Sequence, residues 1–233
     1  MIKRIAILGL ALAPSVALAH NSPGTLRFGI SETHVGMAGA AANMPGLTLG
    51  VGGQYHGVGI RAGVSYARSG GASLEALRIR ATASPRATLS PYLSAGMIDL
   101  ASLGGATSSA ITYAVNPTTG VITPATTITD LPPRGVVMGY AFAGLRARVA
   151  LNPRWALAAH AGIGAGIGGS VTGLPASSAG GGRSPFATLF GAGIRYRVTP
   201  HTVAALSYSR TAIPVRGATF RCSGVALTMA RTF

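Results

Sequence analysis

Beyond residue 19 this chain is apolar on average and yet never apolar for long. Its mean hydropathy is +0.44, but no later segment is long and charge-free enough for a membrane-spanning helix, which takes roughly 20 apolar residues. The apolar residues alternate instead with Gly, Ser, Thr and Arg. In a soluble β protein so much apolar surface requires a second sheet to cover it. In a membrane barrel lipid covers it, and closure pairs every backbone N–H and C=O.

The N-terminus carries Lys3 and Arg4, an apolar run from Ile5 to Ala13 and a stretch ending Ala17-Leu18-Ala19. That is the order of a secretory signal peptide with its small-residue cleavage site, and the run is nearer the ~7–15 residues of such a segment than a membrane anchor. Residues 1–19 are therefore expected to be removed, and residues 20–233 to form one barrel domain beginning at His20. No cysteine stands at the cleavage point to accept a lipid. The only cysteine is Cys222, so no internal disulfide helps the exported chain fold.

Without Lys3 and Arg4 the 19 basic residues become 17, against 4 acidic ones, a net charge of +13. Such a balance often marks a nucleic-acid partner. Export argues against it here, as does the spacing of the arginines, which are distributed along strands rather than gathered in a basic run. Anionic lipid head groups, lipopolysaccharide phosphates or anionic solutes suit this chain better.

Membrane strands are read as alternation over ~9–11 residues with the apolar set outward. Val58, Ile60, Ala62, Val64 and Tyr66 oppose Gly59, Arg61, Gly63, Ser65 and Ala67. Before them Leu47, Leu49, Val51 and Tyr55 oppose Thr48, Gly50, Gly52 and Gln54, and His56-Gly57 joins the two segments as a tight hairpin turn. Trp155, Leu157, Ala159, Ala161, Ile163 and Ile167 share a face, as do Phe186, Phe190, Ala192, Ile194, Tyr196 and Val198. Leu145, Ala147, Val149 and Leu151 oppose Arg146 and Arg148. The pattern is weaker over 73 to 83, 89 to 99 and 203 to 210, and leaves the face of Tyr92 open.

Ser84-Pro85-Arg86, Asn152-Pro153-Arg154 and Thr199-Pro200-His201 are short proline-containing links between strand segments. The links at 100 to 135 and 168 to 185 are long and rich in Gly, Ser, Thr and Pro. Short turns on the periplasmic side and long loops outside would give this alternation. Nine segments follow residue 47. If His56-Gly57 is periplasmic, the strand at 47 runs downward and an upward strand must precede it; Leu26, Phe28 and Ile30, alternating with Arg27 and Gly29, supply it. The expected fold is an all-β, antiparallel up-and-down transmembrane barrel of ten strands. Eight is the alternative, with residues 25 to 45 as a plug or tail and two of the weaker strands merged.

The last nine residues place Val225, Leu227, Met229 and the terminal Phe233 on one face. This resembles the C-terminal signature of bacterial outer-membrane proteins, which implies recognition by the barrel-assembly machinery and periplasmic chaperones. Arg231 departs from the pattern, where an apolar or aromatic residue is usual; at the membrane rim an arginine can reach phosphate. The chain as a whole looks like the small opacity-protein and OmpA-like β-barrel group, Pro91-Tyr92-Leu93-Ser94-Ala95-Gly96 being similar to a common segment there. The resemblance implies architecture and a Gram-negative outer-membrane location. It says little about activity.

Arg61, Arg78, Arg80, Arg146, Arg148, Arg195 and Arg197 are expected to face the lumen in its periplasmic half, as a basic belt. The acids Glu32, Glu75, Asp99 and Asp130 fall near outer strand ends or in loops, away from that belt. Tyr55, Trp155, Phe186, Tyr196 and Phe233, near strand ends, are expected to form the interfacial aromatic girdle. Ser31, Glu32 and His34 cluster near the first outer loop without matching a hydrolase motif. His160 reads as lumen packing. No spacing of His, Cys and acids suggests a metal site, and no cofactor is expected.

A non-enzymatic structural or surface-interaction role, as of a surface antigen, is the first functional reading. A small anion-preferring, porin-like channel through the arginine-lined lumen is the alternative, and the inward glycines favour it. A lipid A hydrolase or protease at the outer rim is the third. The expected partners are outer-membrane lipids and lipopolysaccharide, with no nucleic acid; no external ligand is legible.

Overall fold

The computed structural model describes residues 24–85, 87–104, 106–115, 122–131, 133–173, 186–215 and 218–233, with backbone alone over 106–115 and 122–131. The expected signal peptide, residues 1–19, lies outside the described residues.

Twelve strands are described in chain order: β1 (Thr25–Met37), β2 (Ala40–Tyr55), β3 (Val58–Ser69), β4 (Ala72–Ala83), β5 (Leu89–Leu103), β6 (Ala106–Val115), β7 (Ile122–Leu131), β8 (Arg134–Ala150), β9 (Trp155–Thr172), β10 (Ala187–Thr199), β11 (Thr202–Val215) and β12 (Ala218–Thr232). Ten of them close into an antiparallel barrel in the ring order β1-β12-β11-β10-β9-β8-β5-β4-β3-β2, and β6 and β7 form a separate two-stranded hairpin. The barrel thus has ten strands rather than eight. The segment read from Leu26 to Ile30 is not a plug. It is the middle of β1, which pairs along its length with β2 on one side and β12 on the other.

Closure continues to the last residue. Gly24 N–H donates to the Phe233 carbonyl at 3.1 Å, and Phe233 N–H returns a bond of 3.1 Å to the Gly24 carbonyl. Both termini therefore lie at one end, called here the termini end, with the turns at His56-Gly57, 84–88, 151–154 and Pro200-His201. The β6–β7 hairpin projects from the other, the hairpin end.

Local chemistry explains the turns. Ala38-Gly39 and His56-Gly57 are two-residue links with φ of 50° and 87°, and 44° and 79°. Positive φ at both central positions is the type I′ geometry whose twist matches the strands it joins, and glycine takes the second position at little steric cost. At the β8–β9 turn the Asn152 side-chain carbonyl accepts from the N–H groups of Arg154 and Trp155 at 2.9 and 2.8 Å, a local bond that turns the chain around Pro153.

Three expectations about links need correction. The 100 to 135 link is not one long loop: β5 runs on to Leu103, and β6 and β7 pair from Ala106↔Leu131 to Val115↔Ile122 before β8 starts at Arg134. Its threonines, isoleucines and valines favour extended backbone, a preference masked in the sequence by the prolines and glycines among them. Likewise β9 continues to Thr172, into the expected 168 to 185 loop, whose residues 174–185 lie outside the described residues. Finally, long and short links do not alternate strictly, because Ala38-Gly39 and Gly70-Gly71 are short turns at the hairpin end.

Alternation sorts the barrel side chains into two populations. The outward rows carry exposed large apolar residues on every wall, among them Phe28, Leu49, Ile60, Leu93, Leu145, Ile163 and Leu227. So continuous an apolar exterior far exceeds the patches a water-soluble monomer exposes, and is the exterior of a transmembrane barrel. The inward rows of the hairpin half hold a packed apolar core: Val35, Met37 and Met44 meet Leu74, Ile98, Leu100, Val136, Met138, Phe142, Leu189, Ile213 and Phe220 in one cluster. Phe220 and Ile213 are 0% exposed.

Phe220→Ala, which opens a cavity in that core, is expected to lower the unfolding free energy in lipid vesicles by about 3–5 kcal/mol. A urea titration followed by gel mobility or fluorescence measures the change.

Candidate functional site: the arginine-bearing lumen

Strand parity decides which arginines enter the barrel. On β3 the outward row is Val58, Ile60, Ala62, Val64 and Tyr66, so Arg61 points in. The same parity puts Arg78 and Arg80 of β4, Arg146 and Arg148 of β8, and Arg195 and Arg197 of β10 on inward rows. Arg27, opposed to Leu26, Phe28 and Ile30 on β1, joins them. It belongs with the expected set, and the alternation that identified β1 also gave its direction.

These side chains approach one another across the lumen. β1 and β8 occupy opposite positions in the ten-strand ring, yet Arg27 is within electrostatic reach of Arg146. Arg61 is within reach of Arg27, Arg80, Arg146 and Arg195, and Arg195 of Arg27, Arg146 and Arg148. The acids do not answer them. Glu32, Glu75 and Asp99 stand on outward rows, with Glu75 and Asp99 directly opposite each other across β4 and β5. Among the described side chains no carboxylate faces the lumen.

Interleaved with the arginines is a set of aromatic and polar groups. Tyr92, whose face the sequence left open, points inward and is 3% exposed. The Arg80 guanidinium sits 4.5 Å from the centre of its ring, and His160 meets it edge-on at 6.1 Å between centroids. The Arg78 Nε–H donates to the Tyr140 hydroxyl at 3.3 Å, and the Tyr140 ring packs on Phe142 at 5.5 Å.

Inward glycines make room for this set. A β-carbon on Gly162 would lie 2.5 Å from the Tyr92 hydroxyl oxygen, and one on Gly144 would lie 2.8 Å from Tyr92 Cζ. One on Gly96 would meet the Tyr140 hydroxyl at 2.5 Å, and one on Gly191 the His160 ring at 2.5 Å. The sequence reading counted inward glycines in favour of a pore. At these four positions a large side chain from another strand takes the space instead, a pairing invisible without the register.

The hairpin end of the lumen is also tied across. Arg134 of β8, 8% exposed, sends Nη1 to the carbonyls of Met37, at 3.1 Å, and Ala38. Those carbonyls end the strand opposite β8 in the ring, so one side chain spans the mouth. Arg134 was not singled out from the sequence. Only the earlier start of β8 gives it an inward position.

Of the expected girdle, Tyr55, Trp155 and Phe233 are outward and exposed at the termini end, and Trp155 packs on Tyr196 of the next strand with ring centroids 4.6 Å apart. Phe186 lies at the other end, just before β10. The sequence reading missed a second outward aromatic level, Tyr66, Phe190 and Tyr208, the last two 5.8 Å apart. Tyr66 lies eight residues beyond the Val58 end of β3, about 26 Å along the strand and, at a tilt of roughly 40°, about 20 Å along the barrel axis, most of the ~25 Å apolar band of such barrels.

Val225, Leu227, Met229 and Phe233 lie outward on β12 and just beyond it, with Arg231 in the same row at the rim. Ser31 faces inward while Glu32 and His34 face outward, His34 Nδ1 lying 2.7 Å from the Asn43 side-chain oxygen; the three residues do not form one reacting group. Among the described residues no group of three His, Cys, Asp or Glu could hold a metal ion.

No protein-family model matches the chain, and no curated protein matches it. Solved structures resemble it in outline. Neisserial surface protein A aligns over 90% of this chain and 97% of its own at 9% identity, with a TM-score of 0.42. The outer membrane protease OmpT from Escherichia coli aligns over 91% and 96% at 8% identity, TM-score 0.49. Ail, the attachment invasion locus protein of Yersinia pestis, aligns over 91% and 99% at 12% identity, TM-score 0.36. Likenesses this distant assign no activity.

The glycine and tyrosine positions are expected to be energetically coupled. Gly162→Ala should destabilise the barrel by about 1–3 kcal/mol through overpacking, and Tyr92→Ala in the same chain should recover part of that loss. A double-mutant cycle by urea unfolding in vesicles checks it; strict additivity would disprove the contact.

Proposed function

We propose that this protein is an integral outer-membrane barrel with a structural or surface-interaction role and no enzymatic step of its own. The observation that carries the reading is the filled lumen. In the hairpin half the inward rows are packed with apolar and aromatic side chains, and Arg134 crosses the mouth beyond them. A channel needs a continuous hydrated path, and a barrel of ten strands has an interior scarcely wider than its side chains. The packing favours a barrel that holds and displays over one that conducts.

In this reading the short turns and both termini face the periplasm, and the β6–β7 hairpin stands outside. The outward aromatic levels rest at the two head-group layers, with outward Arg68, Arg210 and Arg221 on the outer side, where lipopolysaccharide phosphates lie. The β12 row ending at Phe233 serves as the recognition strand for the barrel-assembly machinery and its chaperones. Residues 1–19 are the signal peptide that brings the chain there.

The expected behaviour is heat-modifiable migration of a protein found in the outer-membrane fraction, and no unitary conductance in a planar bilayer. Sustained anion-selective channels would establish the porin-like alternative, and a soluble periplasmic protein would refute the membrane reading. On the lipid face Leu227→Arg is expected to cost about 2–4 kcal/mol of barrel stability.

A further inference from the structure

We propose that the basic half of the lumen binds a soluble multivalent oxyanion of the phosphate class. Three observations lead to it. First, Arg27, Arg61, Arg146 and Arg195 reach inward from four strands and lie within electrostatic range of one another. Like charges gathered in a poorly solvated space repel, and without a carboxylate among the described lumen side chains the protein does not neutralise them itself. A bound anion does so.

Second, the same half of the lumen carries polar atoms without a protein partner. The Tyr92 hydroxyl, Arg80 Nε and Nη2, and His160 Nε2 are all buried and make no hydrogen bond to any described residue. Buried polar groups are otherwise almost always satisfied, and where several converge an ion or water completes them. These atoms belong to side chains in mutual contact, Arg80 over the Tyr92 ring and His160 at its edge. They share the basic space.

Third, the apolar cluster and the Arg134 tie fill the hairpin half of the bore, which confines a ligand to the half that holds the arginines. The ligand class follows from the donors. A guanidinium is a planar fork that matches two oxygens of a phosphate, and several forks aimed at one axis favour an anion with several charged oxygens over chloride.

The test uses the full barrel folded in detergent, its closure checked by heat-modifiable migration, and titrated calorimetrically with inorganic pyrophosphate at low ionic strength. Saturable binding is expected, weakened about tenfold or more in Arg61→Ala/Arg195→Ala. It should be unchanged in Arg154→Ala/Arg231→Ala, which removes the same charge from exposed positions outside the lumen. If the inward alanine pair does not fold, Arg61→Lys/Arg195→Lys decides the matter: it keeps the charge, loses the fork, and should bind more weakly than the unmodified barrel. Failure of the unmodified barrel to bind, or equal weakening by the inward and exposed pairs, would overturn the proposal. Binding in micelles does not depend on which compartment the termini end faces, so it can fail while the membrane assignment stands.

Discussion

Everything in this molecule depends on the seam between β1 and β12. A sheet in lipid cannot leave an edge, because each unpaired N–H or C=O in hydrocarbon costs several kcal/mol. The seam runs from Met37↔Phe220 to Thr25↔Thr232 and is finished by the reciprocal bonds of Gly24 and Phe233. Once it is closed, the wall has two faces with separate tasks, and each strand's parity assigns its residues to one or the other.

The outward task was legible in the sequence because lipid is uniform. Any apolar residue serves there, so Val58 to Tyr66 or Val225 to Met229 carries its own signal with no knowledge of a neighbour. The ten-strand ring was legible for a related reason: turn chemistry at His56-Gly57 and the terminal strand fix a parity, and parity required a strand near Leu26. The inward arginines followed from the same alternation.

The inward task was less legible because a lumen is made of pairs. Gly162 and Gly144 take their meaning from Tyr92, Gly96 from Tyr140 and Gly191 from His160. Those partners stand on other strands, one or two places away in the ring, and no local pattern announces them. The apolar core escaped notice for another reason. On β8 the inward row Val136, Met138, Tyr140 and Phe142 is as apolar as a lipid-facing row, and it leads without a break into Arg146 and Arg148. A strand that changes its inward chemistry halfway along shows no clean alternation, which is why only the part of β8 from Leu145 onward was legible as a strand.

That change of chemistry gives the barrel unequal mechanics along its axis. Hydrogen bonds around the ring resist sliding of strands but do little to stop a circular wall flattening into an ellipse, which only cross-lumen contacts oppose. At the hairpin end interlocked side chains fill the bore and Arg134 acts as a tie rod across a full diameter, from β8 to the carbonyls of Met37 and Ala38. At the termini end the groups facing each other across the bore are cations that push apart. The wall is rigid where it meets the hairpin and compliant where the chain begins and ends, so whatever shape fluctuation the barrel has is confined to the half that holds Arg27, Arg61 and Arg195.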